Sequence, residues 1–325
     1  MPLPHILYVR LPNWIGDVCM SLPALEALLA TGVRLRVCAR PWARSLLAGL
    51  PVDAVLPIGG TFADDRRMVA ADSRKVMRES NLPASALRGL LLPDSLSSAA
   101  VFRLAGLASA GYRDDGRSLL LRWPFPKSAE PLHAVESWYR LTRLAVRQWG
   151  GPALPEAPPN RLNLPLSQTH VNAAAQLVHR LGLHGAPFVV IGPTATGLHK
   201  GRVKVWPDFE GLTSALQARG VRVVYCVPQG EADQAHAHAP SAEALPALEL
   251  GAFAALTRHA SLVVCNDSGV SHIAAAADAR QLTLFGVTSP ARTGPWSPRA
   301  VCMGGPDGWP SLAEVTARVT DLLVH

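Results

Sequence analysis

Three polar clusters in this chain stand where apolar runs end, and each carries groups able to do chemistry. The densest is Asn266-Asp267-Ser268-Gly269 with His272, placed directly after the apolar run 263–265. An Ala-rich helical pattern begins at Ile273, and a second apolar run covers 281–286. Strand, polar glycine turn, helix and strand make a βαβ unit, and open α/β sheets take their ligands outside the carboxyl ends of such strands. The free N–H groups and the dipole at the helix start suit an anion such as a diphosphate. Gly269 lets the backbone come close to a ligand. Asp267 cannot serve a phosphate directly, because like charges repel. It is better suited to accept hydrogen bonds from sugar hydroxyls. Equally, Asp267 or Ser268 could do no more than cap the helix, and the spacing alone does not separate the two readings.

The second cluster is the loop Gly192-Pro193-Thr194-Ala195-Thr196-Gly197, which continues through His199, Lys200, Arg202 and Lys204 to Trp206-Pro207. It follows the apolar run 187–191. Its hydroxyls and cations suit a phosphate, where a plain charge run would only be solvated. Glu231 stands just past another strand pattern, 221–227. It could hold a ribose hydroxyl pair or be an ordinary first-turn glutamate. The third cluster is Asn13-Trp14-Ile15-Gly16-Asp17, after the strand pattern 6–10. Asp17 at a helix start could cap N–H groups, or act as a general base at a strand-to-helix mouth. Adjacent aspartates in Asp114-Asp115-Gly116 read as a turn rather than a metal site.

These groups need a frame. Strand patterns are expected at 6–10, 33–38, 52–58 and 87–92, with short ones at 109–112 and 118–122. Helix patterns lie at 18–29, 41–48, 62–80, 96–107 and 133–149. The stretch 150–165, rich in Pro, Gly and Ala, reads as a linker. Beyond it the alternation resumes, with helices at 171–181, 208–218 and 253–259 among the strands already named. Ser311 with Glu314 forms a capping box for a last helix at 312–324. Alternating strands and helices in both halves imply two α/β domains with parallel sheets, residues 1–155 and 166–325. The last helix is expected either to stay with the second domain or to pack back on the first. Neither a G-x-G-x-x-G nor a G-x-x-x-x-G-K-[ST] fingerprint occurs, which argues against dehydrogenases and P-loop enzymes.

Composition sets the outer limits. The 325 residues are 49% hydrophobic and 17% charged, as in a globular protein with large cores. The net charge is +7, and lysine stands only at Lys75, Lys127, Lys200 and Lys204, so arginine dominates. A basic chain can meet nucleic acid, anionic membrane or acidic substrate, but no aromatic-basic interleaving of a nucleic-acid module is present. The cysteines, Cys19, Cys38, Cys226, Cys265 and Cys302, are odd in number and scattered. They read as reduced thiols of a cytosolic protein, with neither a disulfide framework nor a metal knuckle. The N-terminus has no signal-peptide layout, and no apolar run reaches membrane-spanning length.

With these residues in view, the sequence resembles the ADP-heptose:lipopolysaccharide heptosyltransferases of glycosyltransferase family 9, over nearly the whole chain. Asn13-Trp14-Ile15-Gly16-Asp17-Val18 with Ser21-Leu22-Pro23-Ala24-Leu25 is similar to the family's N-terminal motif, the tryptophan placing it nearest the heptosyltransferase II branch. Leu91-Leu92-Pro93-Asp94-Ser95, Gly111-Tyr112-Arg113 and Asp115-Gly116-Arg117-Ser118-Leu119 resemble the mid-domain pattern. Lys204-Val205-Trp206-Pro207 resembles the family's Lys-x-Trp-Pro, and Asp267-Ser268-Gly269 with His272 its Asp-[Ser/Thr]-Gly-x-x-His. The resemblance implies two Rossmann-like domains facing across a cleft, the glycosyltransferase-B fold. It implies an inverting, metal-independent heptosyl transfer with no cofactor beyond the donor ADP-heptose. Asp17 is then the general base and Lys204 the group that meets the phosphates. Thr194 or Thr196, Glu231, Asp267, Ser268, Gly269 and His272 serve the donor, and Asn13, Trp14 and Gly16 the acceptor. The implied partners are ADP-heptose and an anionic glycolipid, the lipopolysaccharide inner core. A cytoplasmic protein, compatible with peripheral association at the inner membrane surface, would meet both. Transfer to another acceptor, or nucleotide-sugar binding without transfer, are the alternatives. The segment 192–204 is longer than the family's usual phosphate loop.

Overall fold

The computed structural model describes residues 2–114, 116–195, 198–199 and 201–324. The chain divides into two compact units, Met1–Arg44 with Leu50–Pro159, and Ser45–Gly49 with Asn160–His325. The first holds β1 (Ile6–Arg10), β2 (Arg34–Ala39), β3 (Ala54–Pro57), β4 (Leu87–Leu91), β5 (Ser109–Tyr112) and β6 (Trp123–Phe125). They form one sheet in the order β3-β2-β1-β4-β5-β6, and every pairing is parallel. The central strands β1 and β4 are buried at every residue. Helices cover both faces of such a sheet, which is why these strands are mostly apolar; β4 also buries Arg88, over the rings of Trp123 and Trp149.

The second unit repeats the plan. Its strands are β7 (Phe188–Gly192), the hairpin pair β8 (Leu198–His199) and β9 (Arg202–Val203), β10 (Arg222–Tyr225), β11 (Glu243–Ala244), β12 (Leu262–Asn266), β13 (Gln281–Phe285) and β14 (Ala300–Gly304). The main sheet runs β11-β10-β7-β12-β13-β14, again all parallel. In both units the order reverses beside the first strand, between β1 and β4 and between β7 and β12. The loops that leave such a pair diverge, which opens a crevice at the carboxyl edge. Gly192 ends β7 close against β12: a Cβ there would stand 2.9 Å from the Cβ of Cys265. The last helix, Leu312–Val324, buries Val315 and Val319 in the core of the second unit beside Leu212 and Leu216.

Several expected elements differ in the structure. The helix expected at 18–29 is two helices, Ile15–Met20 and Leu22–Ala30. They meet at Ser21, whose hydroxyl donates to the Asp17 carbonyl at 2.8 Å, and Pro23 follows without an N–H to offer. Asp17 therefore lies inside the first turn of a short helix. Residues 118–122 do not form a strand. A 3₁₀ turn, Arg117–Leu119, stands there, and β6 pairs further on. Gly116 has φ +73° and turns the chain inward, so that fully buried Arg117 donates to the Pro93 carbonyl at 2.7 Å. The helix at 41–48 shrinks to Ala43–Leu46, and that at 96–107 ends at Leu104. The edge strands β11 and β14 went unread: β11 is only the two residues Glu243–Ala244, and β14 is a short run, Ala300–Gly304, that follows a Pro-rich loop. Four cysteines are buried and Cys302 is exposed.

Candidate functional site

The crevice of the second unit is built around Asn266, the last residue of β12 and fully buried. Its Nδ2 donates to the carbonyls of Gly192 at 3.1 Å and Thr194 at 3.4 Å. Its Oδ1 accepts the N–H of Trp206 at 2.9 Å. One amide thus joins the end of β7, the loop beyond it and the entry to the helix Phe209–Gln217. Trp206 is itself fully buried, donates Nε1–H to the Pro310 carbonyl at 2.8 Å and meets Phe209 edge to face. Sequence reading gave Asn266 no role. The available signal was a polar amide at the end of an otherwise apolar buried strand, where it must be hydrogen-bonded. Asn266→Ala is expected to cost about 2–4 kcal/mol of unfolding free energy in a denaturant titration, since it leaves buried backbone groups unpaired.

This anchor fixes Lys204 two residues before Trp206. Its Nζ lies 3.2 Å from Asp267 Oδ2, with the lysine side chain 22% and the aspartate 8% exposed. Thr288, which sequence reading passed over, donates its hydroxyl to the same oxygen at 2.7 Å. Asp267 is therefore held by side chains and does not cap the helix Gly269–Ala276. Neither does Ser268: it occupies the N-cap position in extended conformation without a side-chain cap bond, and its buried Oγ has no partner among the described residues. The first N–H groups of that helix are left to whatever enters the crevice. His272 is buried on the same helix.

Thr194 and Glu231 also come together, with the Thr194 hydroxyl donating to Glu231 Oε2 at 2.6 Å. Glu231 ends the 3₁₀ turn Gln229–Glu231 and makes no cap bond to the helix that follows. Arg202 is braced: its guanidinium donates to the carbonyls of Gly286 at 2.9 Å and Pro306 at 3.2 Å. The long loop contains the hairpin β8–β9. Thr196 and Lys200 lie outside the described residues.

At the switch point of the first unit stands Asp17, half-buried, whose carboxylate makes no hydrogen bond or ion pair with a described residue. Burial alone raises its pKa from 3.8 to about 6. Arg10, buried at the end of β1, donates to Asn13 Oδ1 at 2.6 Å and so fixes the turn that precedes Asp17. Trp14 is 69% exposed, an unusual position for so large an apolar ring. Across the switch point, Asp94 pairs with Lys127 at 2.6 Å and faces buried Arg117 at 3.6 Å. Lys127 also pairs with Asp114. These ion pairs tie the loops after β4 and β5 together.

Two doubly wound parallel sheets of one strand order make this an α/β protein of two Rossmann-like units, with an anion-ready crevice in the second. The chain belongs to glycosyltransferase family 9 (heptosyltransferase), whose model matches residues 84–318. It is 27% identical over 317 residues to lipopolysaccharide heptosyltransferase 2 of Escherichia coli K12, covering 89% of this chain and 85% of that one. It is 26% identical to lipooligosaccharide heptosyltransferase 2 of Haemophilus ducreyi, covering 91% and 88%. Among solved structures, E. coli ADP-heptose lps heptosyltransferase II has the same fold, with TM-score 0.75, 23% identity and 98% of each chain covered. E. coli heptosyltransferase WaaC with ADP is similar at TM-score 0.70 and 20% identity, covering 98% and 99%.

Proposed function

We propose that this protein is an inverting, metal-independent heptosyltransferase that moves a heptose from ADP-heptose to an acceptor in the lipopolysaccharide inner core. The relatives named above support the donor and acceptor class. The observation that carries the mechanism is Asp17, a half-buried carboxylate with no partner among the described residues, whose pKa burial raises to about 6. Such a group is ionised at neutral pH and free to take a proton. The acceptor hydroxyl oxygen attacks the anomeric carbon as its proton passes to Asp17. The bond from that carbon to the diphosphate oxygen breaks, and its electron pair leaves with ADP. Lys204 and the N–H groups after Ser268 meet the charge that develops there. Thr194 with Glu231 suits a ribose, and Asp267 suits heptose hydroxyls. Asn13, Trp14 and Gly16 line the acceptor side. Among the described residues no three His, Cys, Asp or Glu side chains converge to hold a metal ion. No described helix is long and apolar enough to cross a membrane, so a lipid-borne acceptor would be met from the membrane surface.

The test is ADP release from ADP-heptose, with and without lipopolysaccharide inner-core acceptors, and mass spectrometry of the products. ADP is expected to appear only with acceptor, and EDTA is expected to leave the rate unchanged. Donor binding without acceptor-dependent release would reduce the protein to a nucleotide-sugar-binding relative. A rate lost in EDTA and restored by a divalent ion would overturn the metal-free diphosphate site.

A further inference from the structure

The second unit carries another charged concavity, at the edge of its sheet opposite the crevice. A cavity of about 440 Å³ opens there, lined by Arg161, Arg258, Arg280 and Arg299, with Asp278 as its single carboxylate. Arg161 comes from the stretch at which the second unit resumes, Arg258 from the helix Leu250–His259, Arg280 from the residue before β13 and Arg299 from the residue before β14. The helix Gly269–Ala276 separates the two places: its N-terminus serves the crevice, and Ala277 and Asp278, just past its other end, line the cavity. Eight helical residues amount to about 12 Å.

Two of the arginines have structural work. Arg258 donates to the carbonyls of Ala277 at 2.9 Å and Leu164 at 3.1 Å, and Arg299 lies 3.5 Å from Asp278. The other two have none. Neither the Arg161 nor the Arg280 side chain makes a hydrogen bond or ion pair with a described residue, although Arg280 is only half exposed to solvent. Four guanidinium groups against one carboxylate leave a net charge of about +3 around one concavity, where the walls focus the field. Self-repulsion of that kind opposes folding unless an anion enters. Guanidinium forks match phosphate oxygens in pairs. The volume exceeds that of a lone phosphate and falls in the range of small-ligand sites, roughly 300–1,000 Å³.

We propose that this cavity is a second anion-binding site, which takes a phosphate ester through Arg161 and Arg280 independently of the reacting centre. The phosphate belongs either to a soluble ester or to a lipid headgroup, and both chemistries are tested. Inorganic pyrophosphate is titrated calorimetrically into the full chain, the double variant Arg161→Ser/Arg280→Ser, and Lys204→Ala. The wild-type chain is expected to show two binding events. The double variant should lose one, with affinity about a hundredfold weaker, and keep the other, while Lys204→Ala shows the reverse. In parallel, the proteins are sedimented with phosphatidylcholine vesicles with and without phosphatidic acid. Arginine-dependent capture by the acidic vesicles assigns the site to a headgroup, and pyrophosphate binding without capture assigns it to a soluble ester. Both side chains are unpaired, so the double variant should melt at or slightly above the wild-type temperature. Should it fail to fold, Arg161→Lys/Arg280→Lys keeps the charge without the fork, and is expected to bind about tenfold more weakly. A folded variant that matches wild type in both arms overturns the proposal.

Discussion

Asp17→Asn will lose about 10²–10⁴-fold in kcat/KM, the usual contribution of a general base, and will at the same time be more stable than the wild type above about pH 6. Both effects have one origin. No described group compensates the burial of this carboxylate, so the folded state holds its pKa near 6 against 3.8 in the free side chain. The protonated form is the one the fold favours. That stabilisation is fully present below pH 3.8 and is lost as pH rises through about 6, where the ionised carboxylate must stay half-buried. Asparagine carries no charge to bury, so it should gain on the order of 1–3 kcal/mol over the wild type at pH 8 and nothing at pH 3. The kcat/KM profile of the wild type should fall on its acid side with an apparent pKa near 6, and the residual rate of the variant should lack that limb. A cap residue would behave in the opposite way: its loss would cost roughly 1 kcal/mol and leave turnover intact. Thermal melts and initial rates from pH 4 to 9 separate the two, and a folded, active Asp17→Asn protein would sink the base assignment.

Lys204→Ala is expected to lower kcat/KM by roughly ten- to a hundredfold, the worth of one charge-assisted contact to the departing diphosphate. Because charge on the leaving group grows toward the transition state, kcat should fall along with donor affinity. The same change should cost about 1–3 kcal/mol of stability. Asp267 has its side chain only 8% exposed, and without the ammonium 3.2 Å away it retains, among the described residues, the Thr288 hydroxyl. Adding Asp267→Asn should restore the stability without restoring the rate. Arg202→Ala should act less strongly and through KM, since Arg202 braces the hairpin against Gly286 and Pro306. If Lys204→Ala turns over like wild type while Arg202→Ala is crippled, the phosphate lysine has been misplaced.

What could be read without coordinates was whatever depends on neighbours in sequence. β1, β7 and β12 are buried on both faces, so each is an apolar run that stops at a polar or glycine turn. The box of Ser311 and Glu314 closes within one helical turn, and its bonds of 2.8 and 3.3 Å need no distant partner. The same locality made Asp17, Lys204 and Asp267 visible as charged groups stranded at strand ends. It also made a helix cap as plausible as a ligand for Asp17 and Asp267. Tertiary structure set the cap reading aside for Asp267. Asp267 turns to Lys204 and to Thr288, 21 residues on, and away from the N–H groups beside it. Asn266 reaches Gly192 across 74 residues of chain and Trp206 across 60. Thr194 finds Glu231 across 37. These partners meet because the strand order sets β12 beside β7 and gathers their departing loops at one edge, and no local periodicity encodes that order. The turn at Arg117 and the hairpin in the long loop depend in the same way on distant carbonyls, those of Pro93 and Gly286, that only the folded chain brings within hydrogen-bonding reach.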